Sequence, residues 1–97
     1  MANVKTLDVR GVALEVDLDW FGDVEVFDAM AGLVSAKESG DEGATLVAAS
    51  RWMHAVLGAR YGEAVKALRA AAPDGIVTAE ALSGFCSELL EAANAKN

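Results

Sequence analysis

The feature that most constrains this chain is a hydrophobic pattern that changes its period. From Val12 to Trp20 apolar and polar residues alternate strictly, which is typical of a strand with one buried face. From about Val24 onward the apolar residues recur every three or four positions, which is the period of an α-helix. The sequence therefore predicts an α+β fold, in which an N-terminal antiparallel β-hairpin packs on a small bundle of three or four α-helices.

The hairpin is predicted over residues 4–19, with Arg10-Gly11 as a two-residue turn. This turn brings apolar residues of the two strands to the same face, so the register set by the turn agrees with the register that burial requires. Arg-Gly is a weaker turn signal than Asn-Gly, and a longer loop stays possible. The aromatic pair Trp20-Phe21 is expected to cover the core where the sheet meets the helices. The predicted strand pairs are Val9 with Val12, Leu7 with Leu14, and Lys5 with Val16.

Helical spacing extends over residues 23–95, and local signals divide it. Asp23 is a good N-cap for a first helix, and Thr78 is a good N-cap for the last one. Residues 38–43 contain two glycines and three acids, which predicts a polar loop. The second and third helices are separated by so few residues that they could form one kinked helix. The predicted helices cover residues 24–37, 44–57 and 61–71, and a fourth begins after Thr78.

Length and composition predict one domain, residues 1–97, with a thin core. A chain of 97 residues has no room for two cores. Twenty of its residues are alanine, which favours helix but buries little area. Part of the apolar stripe is therefore expected to remain uncovered unless a partner protein or a second copy covers it, and we expect a homo-oligomer.

The net charge of −7 limits the classes of partner. An acidic chain lacks the basic surface that nucleic-acid binding requires, and it is repelled by anionic lipid. The acids serve solubility, or they form a surface that meets a basic partner. The single cysteine, Cys86, excludes an internal disulfide and suits a reducing compartment. No apolar run is long enough for a membrane span, and the N-terminus lacks a signal-peptide core, so the expected location is the cytoplasm.

No catalytic, cofactor-binding or metal-binding residues are predicted. The segment after Asp74-Gly75 resembles the second half of a calcium-binding loop, but alanines occupy positions where ligands are required. The helical neighbours of His54 are Ser50, Arg51 and Gly58, which include no acid and no further metal-ligating nitrogen or sulfur, so a surface or boundary position is expected. Cys86 lies on an apolar helical stripe and is expected to be a buried small hydrophobe. The remaining candidates are three acids, Asp17, Asp19 and Asp23. They are interpreted as a solvated strand face, or as charges that prevent the edge of the sheet from pairing with strands of other proteins, rather than as metal ligands.

The predicted partner-binding surface lies on the outward sides of the second and fourth helices. A thin core should not bury all of the apolar residues on these helices. Exposed aromatic or methionine side chains are common anchors in interfaces. The alternative is a wide buried face. The residues assigned to this surface are Trp52, Met53, Phe85 and Leu89.

Three stretches together resemble the tail assembly chaperones of long-tailed phages and prophages. They are residues 7–17, which look like an opening hairpin, residues 23–30, which look like the following helix, and residues 68–85, which look like the closing turn and helix before the Lys96-Asn97 end. The resemblance implies a non-enzymatic protein that binds the hydrophobic tape-measure protein and keeps it soluble. It implies no catalytic residues and no cofactor.

Three functional hypotheses follow. The first is a chaperone or adaptor whose hydrophobic groove holds a partner helix. The second is a small acidic regulatory or inhibitor protein of prophage or bacterial origin, whose binding would weaken steeply with salt, whereas groove binding would not. The third is a small enzyme, which would need an apolar cavity ringed by ionisable groups such as Asp17, Asp19 and His54.

Overall fold

The computed structural model describes residues 3–96, and the predicted α+β fold is confirmed. A two-stranded antiparallel hairpin is followed by four α-helices. A 3-10 helix joins the hairpin to the first α-helix, and another joins the second and third. The elements are β1 (Val4–Val9), β2 (Val12–Asp17), α1 (Val24–Ser39), α2 (Glu42–Leu57), α3 (Tyr61–Ala71) and α4 (Ala79–Lys96), with 3-10 helices at Leu18–Gly22 and Gly58–Arg60.

The predicted strand register is confirmed, including the two-residue turn. Val9 pairs with Val12, and both Arg10 and Gly11 have positive φ, at 54° and 80°. A turn with two positive φ values matches the right-handed twist of the strands, but the conformation is unfavourable for arginine. The Arg10 side chain lies across α4, where its Nε donates a hydrogen bond of 2.7 Å to Glu88 Oε2. This contact attaches the tip of the hairpin to the last helix.

The second strand ends two residues earlier than predicted. Asp17 Oδ1 accepts a hydrogen bond from the backbone N–H of Asp19 at 3.0 Å, and this cap starts a 3-10 helix instead of further strand. The alternation therefore fails at its end: Leu18 is buried, but Trp20 is half exposed. Of the two aromatics expected to cover the core, Phe21 does so, with its ring edge against Trp52 at a centroid distance of 6.0 Å.

The polar loop predicted over residues 38–43 is wrong in length. Only Gly40 and Asp41 separate α1 from α2. Gly40 ends α1 with a φ of 74°, and the side chain of Asp41 immediately caps α2 by accepting a hydrogen bond from Ala44 N–H at 3.0 Å. Since one residue reverses the chain and the next starts the new helix, the two helices form a tight antiparallel pair.

The second and third helices are separate rather than one kinked helix. Gly58 ends α2 with φ 56° and ψ −125°, a conformation that favours glycine, and a 3-10 turn leads into α3. The Thr78 cap predicted for the last helix is confirmed, because Thr78 Oγ1 accepts a hydrogen bond from Ala81 N–H at 3.1 Å.

The core is built around α2. This helix contacts each of the other helices and the second strand, and α4 also contacts the first strand. One face of the hairpin is buried against the helices, while Thr6, Asp8 and Glu15 on the other face are exposed. No helix within residues 3–96 is both long and apolar enough to cross a membrane. The largest fully buried side chains are Trp52, Phe85, Leu7, Leu14, Met53, Leu89, Val16 and Cys86.

Candidate functional site

The four residues predicted to bind a partner lie in the core. Trp52, Met53, Phe85 and Leu89 are each at most 1% exposed. Their assignment to an outward surface is wrong, because α2 and α4 pack against each other and against the hairpin through these side chains. Because alanine side chains fill little space, the few large side chains of these helices are needed to fill the interior at normal packing density.

Uncovered apolar surface does exist, but it lies elsewhere. On α1, Val26 and Leu33 are buried, whereas Phe27 and Val34, each one position further along, point about 100° away and remain exposed. Phe27 is 74% exposed and Val24 is 76% exposed. The other elements therefore cover only part of the apolar surface of this helix. We call the uncovered part, Val24, Phe27 and Val34, the α1 face.

A second uncovered region is an open groove beside α2. Gly58 turns the chain so that α3 lies next to α2, and residues around the start of α4 form the floor of the groove between them. The groove has a volume of about 610 Å³. Buried Leu82 and half-buried Val65 and Val77 line it, together with the exposed side chains of Leu46 and Val47. The complete lining of this α2–α3 groove is Leu46, Val47, Ser50, Arg51, His54, Tyr61, Val65, Arg69, Val77 and Leu82.

Tyr61, the first residue of α3, holds the two walls together. Its hydroxyl is 2.9 Å from Ser50 Oγ, so the two share a hydrogen bond across the groove. Its ring stacks on His54 with a centroid distance of 3.6 Å and an angle of 20° between the planes. His54 is exposed, as predicted, and its role in the fold is this stacking contact. These two contacts therefore fix the position of α3 relative to α2 at one end of the groove.

The charge of the α2–α3 groove is opposite to that of the chain. Arg51 and Arg69 line it, together with His54, and none of the 15 acids does so among residues 3–96. Between residues 43 and 73 the sequence contains four bases and one acid, Glu63. The acids are concentrated in the hairpin, in α1 and in the last helix. This separation produces a basic, apolar-lined groove on an acidic protein.

A wider groove of about 1260 Å³ runs between α1 and α2. Small residues such as Gly32, Ser35 and Ala48 line most of it, with Glu25 and Asp28 at one wall. It shares Val47, Arg51 and His54 with the α2–α3 groove, and among its lining residues in the described part of the chain Val47 is the one apolar side chain larger than alanine. The α2–α3 groove is therefore the stronger candidate for binding a partner.

Two of the three acids considered as metal ligands cap helices. Asp17 caps the 3-10 helix, and Asp23 caps α1 by accepting a hydrogen bond from Glu25 N–H at 3.0 Å. Asp74 forms a similar contact to the N–H of Ile76 at 3.1 Å, within the turn before α4. Within residues 3–96, no three His, Cys, Asp or Glu side chains are grouped as a metal ion would require. Asp17 and Asp23 thus act as helix caps, and the side chain of Asp19 is exposed.

Cys86 is buried, as predicted, between α2 and α4. Its Sγ lies 3.7 Å from the carbonyl oxygen of Ala49. Burial raises the pKa of the Cys86 thiol from 9.0 to about 12, against a small opposing effect of the positive charge on Lys37. A thiol that stays protonated and inaccessible is a poor nucleophile, so Cys86 acts as a small core residue.

No family model, curated protein or solved structure matched this chain.

Sequence reasoning missed the residues of the α2–α3 groove, although two signals were present. The bases of the central segment form one signal, because they stand out against an acidic chain. The other is the position of Leu46 and Val47 at the start of α2: they are adjacent, so they cannot both belong to the stripe that contains Ala49 and Trp52. Helical spacing predicts Leu46 on the inner side of α2 with Ala49, but its side chain is 39% exposed.

Proposed function

We propose that this protein is a non-enzymatic adaptor or chaperone that holds an apolar helical segment of a partner protein in the α2–α3 groove. The observation that carries the proposal is the groove itself, which combines an apolar lining with two exposed apolar side chains, Leu46 and Val47. Proteins that bind amphipathic helices use such grooves, where the bound helix inserts apolar anchors spaced three and four residues apart.

The resemblance to phage tail assembly chaperones supplies a candidate partner, the tape-measure protein. The proposal then places the chain in the cytoplasm of the host cell, where it would keep that partner soluble. A tape-measure gene immediately downstream of the coding sequence would support this assignment. Co-expression tests it directly: the downstream product should become soluble with this protein and remain insoluble without it, and equal solubility in both cases would contradict it.

The groove is tested with a designed peptide and two matched variants. The probe is a fluorescein-labelled 18-residue amphipathic helix with leucines at helical spacing and glutamines elsewhere. Val47→Asp places a carboxylate in the groove, whereas Val24→Asp makes the same change on the α1 face. Both valines are exposed, at 61% and 76%, so neither variant should lose more than about 0.5 kcal/mol of stability.

Val47→Asp should weaken peptide binding about tenfold, because a carboxylate would be desolvated against the apolar face of the peptide. Val24→Asp should bind like the unmodified protein. Fluorescence anisotropy measures both affinities. Equal affinities for the two variants would show that the groove is not the binding site.

Self-association is part of the same proposal and involves the α1 face. A second copy that packed against this face would cover Phe27, Val24 and Val34, which the chain itself leaves exposed. Light scattering coupled to size exclusion should find an oligomer for the unmodified protein and a folded monomer for Phe27→Glu. A monomer for both proteins at high concentration would refute self-association.

The absence of enzymatic activity is also proposed. It is supported by the inert state of Cys86 and by the use of Asp17 and Asp23 as helix caps. The acidic regulatory protein is the second candidate, favoured by the seven acids of residues 1–28. Salt distinguishes the two candidates: groove binding by the neutral peptide should persist from low to high ionic strength, whereas binding through the acidic surface should weaken steeply.

A further inference from the structure

The basic side chains of the α2–α3 groove are available to a partner. The ion pairs found within residues 3–96 join Arg10 to Glu88 and Arg60 to Glu15. Neither arginine of the groove is engaged with a carboxylate in this part of the chain. Arg69 is positioned by a hydrogen bond of 2.8 Å from its Nη1 to the carbonyl oxygen of Gly75, which leaves its other N–H groups free to donate.

The position of these charges matters more than the total charge of the protein. Arg51 is on α2, Arg69 is on α3, and the apolar residues Leu46, Val47 and Val65 line the same groove. A helix that placed its apolar face in the groove would bring the residues flanking that face towards the arginines. Glu25 and Asp28 line the neighbouring α1–α2 groove, which also includes Arg51, but no acid lines the α2–α3 groove within residues 3–96. At physiological salt, charges separated by more than about 8 Å are largely screened, so the charges that line the groove itself should dominate its interaction with a bound helix.

We propose that the segment held in the α2–α3 groove is an amphipathic helix whose apolar face is flanked by Asp or Glu. This inference rests on the proposed function and specifies the partner chemistry at the same site. It is the opposite of what the net charge of −7 suggests, since an acidic chain as a whole attracts basic partners. Carboxylates next to the apolar anchors would accept hydrogen bonds from Arg51 and Arg69.

The test uses three labelled peptides that share the same leucine face and differ only in the flanking residues, which are Glu, Gln or Lys. Two exposed ion pairs at the rim of a groove should together change affinity by about fivefold. At physiological salt the Glu peptide should therefore bind the unmodified protein about fivefold more tightly than the Gln peptide, and the Lys peptide should bind most weakly. The differences should shrink at high salt.

A matched pair of charge reversals distinguishes the effect of the groove charges on binding from the effect of the net charge of the protein. Arg51→Glu and Lys66→Glu change the net charge equally, but Lys66 is exposed on α3 outside the groove lining. Arg51→Glu should abolish or invert the preference for the Glu peptide, and Lys66→Glu should retain it. Circular dichroism should show that both variants are folded, since neither side chain is buried.

The outcomes distinguish this inference from the proposed function. If the Lys peptide binds most tightly, or if the two charge reversals have equal effects, the overall charge dominates and the inference is overturned. If all three peptides bind with equal affinity, the inference is overturned while the groove remains a binding site. If none of the peptides binds, the proposed function fails as well.

Discussion

Two phenylalanines on helices provide the sharpest test of the fold, because the same substitution should strongly destabilise the protein at one position and have almost no effect at the other. Phe85 is fully buried in the core, whereas Phe27 is 74% exposed on the α1 face. A buried Phe→Ala change costs about 3–5 kcal/mol through lost burial and the cavity that remains. The whole domain is expected to have a stability of about 5–15 kcal/mol, at about 0.05–0.15 kcal/mol per residue. Phe85→Ala should therefore remove a large part of it.

The effect of Phe27→Ala should be close to zero. Only about a quarter of this side chain is shielded from water, so the lost burial is roughly 0.4–0.8 kcal/mol against 1.5–3 for a fully buried side chain. The higher helix propensity of alanine offsets about 0.5 kcal/mol of that loss. The net change should lie within about 0.5 kcal/mol of zero.

Urea unfolding followed by circular dichroism measures both changes, at a protein concentration low enough to avoid self-association. With a slope of about 1.5 kcal/mol per molar urea, the midpoint of Phe85→Ala should fall by about 2–3 M and that of Phe27→Ala by less than about 0.4 M. Equal shifts would refute the burial assignments. If Phe85→Ala were as stable as the unmodified protein, Phe85 would not be a core residue, and the outward position predicted from the sequence would be correct.

Three further predictions concern the connections and the thiol. Gly58→Ala should destabilise the protein by about 1–3 kcal/mol, because alanine is strained at φ 56° and ψ −125°. Gly62→Ala on the open surface of α3 should be neutral or stabilising by up to about 1 kcal/mol, and thermal unfolding compares the two variants. Asp41→Ala should cost about 1 kcal/mol by removing the cap of α2, and an unchanged urea midpoint would contradict that role. Cys86 should react with a thiol reagent at pH 8 only after unfolding. Because its pKa is about 12 in the fold and 9.0 otherwise, stability should fall as pH rises between these values, and Cys86→Ala should lack this part of the pH dependence.

The local elements were predictable because short-range signals specify them. The register of the hairpin follows from a turn and an alternation that agree, and the helix starts follow from Asp23 and Thr78, whose side chains cap the first N–H groups. The errors at the element ends also have local causes. Asp17 captures a backbone N–H and stops the strand, while the Gly40-Asp41 pair makes a connection shorter than composition suggests.

The candidate site was not predictable in the same way, because exposure depends on how the helices are arranged. Trp52 and Leu46 are both apolar residues of α2, yet the first is in the core and the second lines a groove. The difference arises from the direction of α3 after Gly58 and from the docking of α4 on α2. Helical spacing predicts which side chains share a face, but it does not state which face another element will cover.

By itself the sequence determined the class of fold, the strand register, the starts of the first and last helices and the excess of apolar surface over core volume. These properties depend on residues close together in the chain, where steric and hydrogen-bonding preferences act directly. Only the tertiary structure decided that the excess lies on the α1 face and in the α2–α3 groove, and that Arg51 and Arg69 meet there. Burial and charge clustering join residues far apart in sequence, so they follow from helix packing rather than from local pattern.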